Sequence, residues 1–446
     1  MKNTIIRGSC RAYSNEGAGI VNSENLTIFV NGLFLGEEAD IELTYTNNKI
    51  GFGKVKKLHS ISPDRIEMLC PVGTSCGGCC FQALKYEKEV EFKKDRIVNA
   101  FSWIAHMDVK LSSFFEAPRT TFYRNKIQVP FGLNNFGKLT YGFFKAFSHE
   151  IVPFKKCYIE SDIANNIVCT IRAIMLEEFV PAYNEQRCTG VVRHVAIRTS
   201  NDNKHVMVTV VTSKHEFKNK DFFFRKILRA HPEITSLIQN VNSEKTNVIL
   251  GEREYLISGV DYIEDSLLGI TLRIGSKSFY QVNHDQCERL YSEAIEMAKL
   301  TGKEIVLDAY CGVGSIGLCL AKNARKVIGI EIVKEAIKNA NINKEINNIK
   351  NIEFYAGDVE QISKKLTEKY DVIFVDPPRK GLDVGFKNTL KHLSAKKIIY
   401  ISCDPNTLAR DVNDLSELYE LKDIRGVDLF PRTYHVETIV LLERKE

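Results

Sequence analysis

The residues best suited to chemistry lie where short apolar runs end in the C-terminal third. "IEFYAGD" ends at Asp358, "YDVIFVDPP" reaches Asp376, "KIIYISCDP" reaches Cys403, and Glu437 precedes the run "TIVLLER". If these runs are strands of one open α/β sheet, their ends share a rim, where such sheets bind ligands. One thiol and several carboxylates on one rim suit covalent catalysis on an unactivated ring carbon. Carbon 5 of uracil is such a carbon. A thiolate added to carbon 6 turns the ring into an enolate, and carbon 5 can then take a methyl group from a sulfonium. A base removes the carbon 5 proton and the thiolate is expelled, so one hard step becomes several easier ones. Cys403 suits the nucleophile, in the polar, partly exposed setting a thiolate needs. Glu437 suits the base, with His435 as a rival two residues earlier. The bland readings are a small core thiol and an edge-strand salt bridge. The Asp404-Pro405 step, which pulls the chain out of its strand, favours the rim for Cys403.

"DAYCGVGSIGLCLA" supplies a glycine loop, with Gly312, Gly314 and Gly317 spaced as G-x-G-x-x-G and Glu331 ending the next apolar run. Glycines let backbone approach a ligand and the acid takes ribose hydroxyls. NAD and S-adenosylmethionine both use this arrangement, and the loop alone does not separate them.

The elements that must position these groups follow from periodicity. From residue 284 a helical stretch leads into short β-branched runs alternating with helical ones, which predicts a doubly wound sheet. Residues 1–57 alternate apolar and polar positions over short runs broken by turns, which predicts a small antiparallel barrel. Between them strand-like runs dominate, including "NKIQVPFGL", "VRHVAIRTS", "KHVMVTVVTS" and "TNVILG", and a helical stretch, "IANNIVCTIRAIMLEEF", interrupts them. "LKYEKEVEFKKDRIVNAF" reads as a helix with a charged outer face. Three units are expected: 1–57, 58–280 and 281–446.

Composition is that of a soluble globular chain, with 44% apolar and 26% charged residues over 446 positions. No charge-free stretch has transmembrane length, and the N-terminus has no apolar signal core, so a cytoplasmic protein, off the membrane and monomeric, is expected. The net charge of +5 lies in the first third: residues 1–160 hold 21 Lys and Arg against 16 Asp and Glu, and the remainder balances. A polyanion such as nucleic acid would be drawn there.

Of the 12 cysteines, four fall in "CPVGTSCGGCC": Cys70, Cys76, Cys79 and Cys80. A reducing compartment argues against disulfides and leaves a zinc clip, an iron–sulfur site or chance.

The motifs "SFYQVN" (278–283), "DAYCGVGSIGL" (308–318), "VDPPRKG" (375–381), "ISCDP" (401–405) and "HVET" (435–438) together resemble the RNA uracil-5-methyltransferases, most closely the bacterial 23S rRNA branch. The likeness spans the chain. It implies a Rossmann-like methyltransferase domain, an N-terminal OB-like TRAM barrel that binds RNA, and a central α+β iron–sulfur domain. It makes Cys403 the nucleophile and Glu437 the proton acceptor. It places Gln281, Tyr310, Glu331 and Asp376 at S-adenosylmethionine, with Gly312 and Gly314 in the loop and Asp358 near the adenine. It also implies a [4Fe-4S] cluster on Cys70, Cys76, Cys79 and the distant Cys157, leaving Cys80 spare. That cysteine set favours 23S rRNA over tRNA as partner. Arg124 and Lys126, beside aromatics in "TFYRNKIQVPF", are candidate RNA contacts. The rivals are tRNA as substrate, an iron–sulfur NAD-dependent oxidoreductase, and an RNA-binding protein without activity.

Overall fold

A computed structural model describes residues 4–23, 26–134, 136–146, 148–366 and 368–446. Its N-terminal sheet has six strands, ordered Ile5–Ser9, Glu38–Thr46, Ile50–Ser60, Leu26–Val30, Gly19–Ser23 and Ala12–Tyr13. All neighbours run antiparallel except Leu26–Val30 beside Ile50–Ser60. Alternation does what the sequence predicts: Ala39, Ile41 and Leu43 turn inward onto Val21, Ile28 and Val30.

The central sheet has seven strands, ordered Ile151–Pro153, Leu139–Phe144, Lys126–Leu133, Val192–Thr199, Val206–Thr212, Ile234–Val241 and Arg253–Gly259. Helices Asp162–Glu177 and Lys220–Ala230 pack against it. "TNVILG" is not a strand here. Asn240 and Asn242 capture its backbone instead: Asn242 Nδ2 donates to the Val248 and Ile249 carbonyls, and Asn240 exchanges bonds with Gly251. Side-chain amides thus satisfy a segment that would otherwise seek a ladder.

The catalytic sheet has eight strands, ordered Ile352–Ala356, Lys326–Glu331, Ile305–Ala309, Val372–Val375, Lys397–Ser402, Glu437–Arg444, Tyr419–Val427 and Ser113–Phe115. The first five are parallel, and all but the edge strand Ile352–Ala356 are buried on both faces along their centres, as their apolar runs require. Glu437–Arg444 runs antiparallel to Lys397–Ser402.

Two segments cross the boundaries expected from sequence. Helix Tyr86–Ala100, extended by the π-helical turn Phe101–Ala105, buries Ile97, Ala100, Phe101 and Ala105 in the core of the catalytic sheet, and Ser113–Phe115 becomes that sheet's edge strand. The hairpin Tyr262–Leu267 with Ile270–Gly275 buries Ile263, Leu272 and Ile274 in the same unit's second core. Both were expected in the central domain. Their apolar faces fit the catalytic sheet, which local periodicity does not reveal. No helix among the described residues is long and apolar enough to cross a membrane.

Candidate active site

The "SCDP" turn follows from its own residues. Ser402 Oγ donates to the Asp404 carbonyl at 3.1 Å and accepts from the Asp404 N–H at 3.2 Å. Asp404 then caps helix Pro405–Leu415, accepting from the N–H groups of Asn406 and Thr407, with proline in the first turn. Cys403 is held between these braces, half-buried.

The antiparallel ladder brings its partner. Ser402 pairs with Thr438, so the next residues, Cys403 and Glu437, meet across the ladder's end. Glu437 is only 3% exposed. Burial foremost, then the Asp376 carboxylate, pushes its carboxyl up to about 8, against an opposing pull from Arg379. Desolvation pushes Asp376 up to about 7. Cys403 is pushed up to about 12, first by burial and then by Glu437, with Arg379 opposing. The sequence led us to expect a setting that favours thiolate. The structure instead disfavours thiolate there, first through burial and then through the neighbouring carboxyl groups.

His435 does not compete as base. Burial, then the Arg379 and Arg96 charges, push it down to about 3, and Arg379 Nη2 stands 3.1 Å from its Nε2. Two arginines were missed from sequence. Arg379 sits inside "VDPPRKG" and could have been read there. Arg96 gave no signal: it reaches from helix Tyr86–Ala100 to within 3.7 Å of Asp404 and donates to the Tyr434 carbonyl at 3.3 Å.

The glycine loop runs from strand Ile305–Ala309 to helix Ser315–Ala321 with Tyr310, Gly312 and Gly314 all at positive φ. A side chain on Gly312 would point into open space, whereas one on Gly314 would strike Phe354 at 2.6 Å. Gly312 therefore lines an open cradle, and Gly314 is needed for packing. Glu331 accepts from the Gly312 N–H at 3.2 Å and the Val333 N–H at 2.9 Å, flanked by exposed Ile332 and Val333. An acid bonded to the loop beside exposed apolar side chains fits a nucleoside. Asp308, also missed, is buried beneath the loop with Oδ2 unpartnered, and a side chain on Gly317 would strike that oxygen at 2.6 Å. Tyr310 is half-buried, edge-on to Phe386. Asp358 caps helix Val359–Lys365 through the Gln361 N–H, a structural task that uses one of its oxygens.

Gln281 is buried, and its carbonyl accepts from Asn125 Nδ2 at 3.0 Å. Phe279, in the same motif, is 69% exposed. Arg124 turns to Glu160 at 3.4 Å, beside Cys157 and Cys79, rather than standing free as an RNA contact. Lys126 is half-buried with no carboxylate partner among the described residues, and burial with the Arg198 and Arg124 charges pushes its ammonium down to about 7.

All 12 cysteines are free thiols. Cys70, Cys76, Cys79 and Cys157 are half-buried; burial foremost pushes the Cys76, Cys79 and Cys157 thiols up, and neighbouring cysteines of the set add to it. Among the described residues no group of three or more His, Cys, Asp or Glu is arranged to hold a metal ion. Cys80 packs with Phe34, Phe81 and Leu84 instead.

The tRNA (uracil-5-)-methyltransferase family profile matches residues 85–445. The chain belongs to that family. It is 42% identical to an uncharacterized RNA methyltransferase of Clostridium acetobutylicum over 97% of this chain and 95% of that one. A Staphylococcus aureus counterpart is 37% identical over 100% and 99% of the two chains. Among solved structures, the Pyrococcus abyssi tRNA (uracil-54, C5)-methyltransferase in complex with S-adenosyl-L-homocysteine superposes with a TM-score of 0.79 at 27% identity, covering 98% of this chain and 100% of that one. The protein is thus an S-adenosylmethionine-dependent RNA uracil-5-methyltransferase on a Rossmann-like sheet. This removes the NAD reading that the glycine loop left open.

Proposed function

We propose that the enzyme methylates carbon 5 of a uridine in 23S rRNA through a covalent adduct on Cys403 that Glu437 resolves. The observation that carries the chemistry is the meeting of these two side chains at the end of one antiparallel ladder. S-adenosylmethionine supplies an electrophilic methyl group on a sulfonium; Glu331, Tyr310, Gln281, Asp376 and the Gly312–Gly314 backbone are the residues that would hold it, with Asp358 nearby. Cys403 gives its proton to water and its sulfur bonds to carbon 6, placing an electron pair on carbon 5. Carbon 5 takes the methyl group as the carbon–sulfonium bond breaks. Glu437, ionised, removes the carbon 5 proton. The carbon 6–sulfur bond then breaks and the thiolate returns. Arg379, the cation that favours both ionised groups, opposes part of the effect of their burial. The target base must leave its stack to reach Cys403, and the basic first third would hold phosphates, with Lys126 a candidate contact and Arg124 a lesser one.

A [4Fe-4S] cluster on Cys70, Cys76, Cys79 and Cys157 belongs to the same proposal. An all-thiol donor set matches such a cluster. Four irons taking one thiolate each also need ligands further apart than one ion does, so the mutual nearness of the thiols is compatible with it. The cluster would tie Cys157 to the first eighty residues. The TRAM-like reading of the N-terminal sheet rests on its order and one-sided core.

The cysteine set supports rRNA; the likeness to the Pyrococcus tRNA (uracil-54, C5)-methyltransferase supports tRNA. Transfer of labelled methyl from S-adenosylmethionine to purified 23S rRNA and to tRNA decides between them. Labelling of 23S rRNA is expected, and exclusive labelling of tRNA overturns the choice.

A further inference from the structure

The loop that delivers Glu437 is held mainly from outside its own sheet. Strand Tyr419–Val427 ends and Glu437–Arg444 begins, and between them the chain is fastened to the N-terminal third. Lys93 Nζ donates to the Phe430 carbonyl at 3.2 Å, and the Tyr123 hydroxyl to that of Pro431 at 3.0 Å. The tightest knot is Arg432. Its carbonyl accepts from both the Cys80 and Phe81 N–H groups at 3.1 Å, and its own N–H donates to Glu89 Oε1 at 2.7 Å. Its guanidinium donates to the Leu84 carbonyl at 2.9 Å and to Thr120 Oγ1 at 3.2 Å. Arg432 adopts φ 70°, a left-handed backbone that a residue with a side chain keeps only when its surroundings impose it.

We infer that Arg432 is a positioning residue for the proton-removal step. The inference rests on the covalent reading above. Thiolate addition and methyl transfer use Cys403, braced by its own turn, and the cofactor cradle; Glu437 acts on the thiol only through its charge, and neither step depends on its exact position. Removal of the carbon 5 proton does. Slackening the Arg432 knot displaces the strand entry five residues later and slows that step selectively. An ångström of misplacement costs roughly a hundredfold in rate, so partial loosening should cost about tenfold.

Arg432→Gly tests this, because glycine keeps the left-handed backbone while the guanidinium bonds are lost. Methyl transfer is followed in a single turnover, the RNA-linked protein is quantified on a denaturing gel, and product release is compared for RNA made with 5-hydrogen and 5-deuterio uridine. The expected result is methyl transfer within about threefold of wild type, release slowed about tenfold, an accumulated adduct, and a larger deuterium effect. Arg432→Lys, which keeps a cation beside Glu89, should move all three back toward wild type. Methyl transfer and release falling together, or an unchanged deuterium effect, overturns the role. If Arg432→Gly does not fold, Thr120→Val removes a single guanidinium bond, and an unchanged deuterium effect there overturns it equally. Glu437→Gln separates the two readings. An adduct with Glu437→Gln but none with Arg432→Gly refutes the positioning role alone; no adduct with Glu437→Gln refutes the proton-acceptor role given to Glu437, on which the positioning role rests.

Discussion

Replacing Glu437 with Gln should make the free enzyme more stable at neutral pH, and by an amount that follows from the site. In the fold the carboxyl keeps its proton up to about 8, from an ordinary value of 4.5, because burial and Asp376 oppose its charge. In the unfolded chain it ionises near 4.5. Between those values the native state binds more protons than the unfolded one, so stability falls as pH rises through the window. Each pH unit within it costs up to about 1.4 kcal/mol, so the loss from pH 5 to 7 is about 2 kcal/mol after allowing for partial ionisation in the unfolded chain. Glutamine has nearly the same shape and no proton to lose, and the other raised carboxyls remain in both proteins. Urea unfolding of wild type and Glu437→Gln at pH 5 and pH 7 gives the difference of differences. Far-UV circular dichroism and the fluorescence of the one tryptophan, Trp103, should be followed together, since coincident transitions license the free energies in a multidomain chain. Near-equal stabilities at pH 5, diverging by about 2 kcal/mol in favour of the variant at pH 7, are expected. A gap that does not change with pH means that Glu437 is already ionised in the fold, and refutes the reasoning from burial.

The same groups fix the pH profile of catalysis. Cys403 must lose its proton before carbon 5 can take the methyl group, so the single-turnover rate of methyl transfer should rise roughly tenfold per pH unit between 6 and 7; a flat profile contradicts this. Cys403→Ser should lower methylation by roughly 10³-fold or more and abolish the gel-stable adduct, and survival of the adduct would move the nucleophile elsewhere. Lys93 is fully buried, 2.6 Å from Glu89 and 2.7 Å from Asp428, so Lys93→Met should cost about 3–5 kcal/mol in denaturant unfolding by stranding two carboxylates. Cys80→Ser should leave iron content intact and Cys157→Ser should abolish it by metal analysis; the reverse pattern restores a local four-thiol site.

What could be read from sequence was whatever one strand end carries by itself. Cys403, Asp376 and Glu331 stand at the ends of apolar runs, and their types and order sufficed. Glu437 needed one fact more, the antiparallel direction of the last strand, because only that direction returns its first residue to the end of the strand before Cys403. What could not be read is fixed by pairings across hundreds of residues. Lys93 has the spacing of a charged outer helix face, yet Asp428 and Glu89 turn it into a core residue. Nothing near Arg124 in sequence announces Glu160 as its ion-pair partner. Arg96, Lys93 and the Cys80–Phe81 amides all converge on the loop before Glu437, and each belongs to a segment assigned from sequence to another domain. Burial and then the Asp376 carboxyl oppose the ionisation of Glu437, so the site resists placing that charge where the chemistry needs it. A loop carrying such a group needs an anchor outside the sheet that holds the nucleophile, and the N-terminal third provides it. The boundary the sequence misplaces is therefore the one that the chemistry requires the chain to cross.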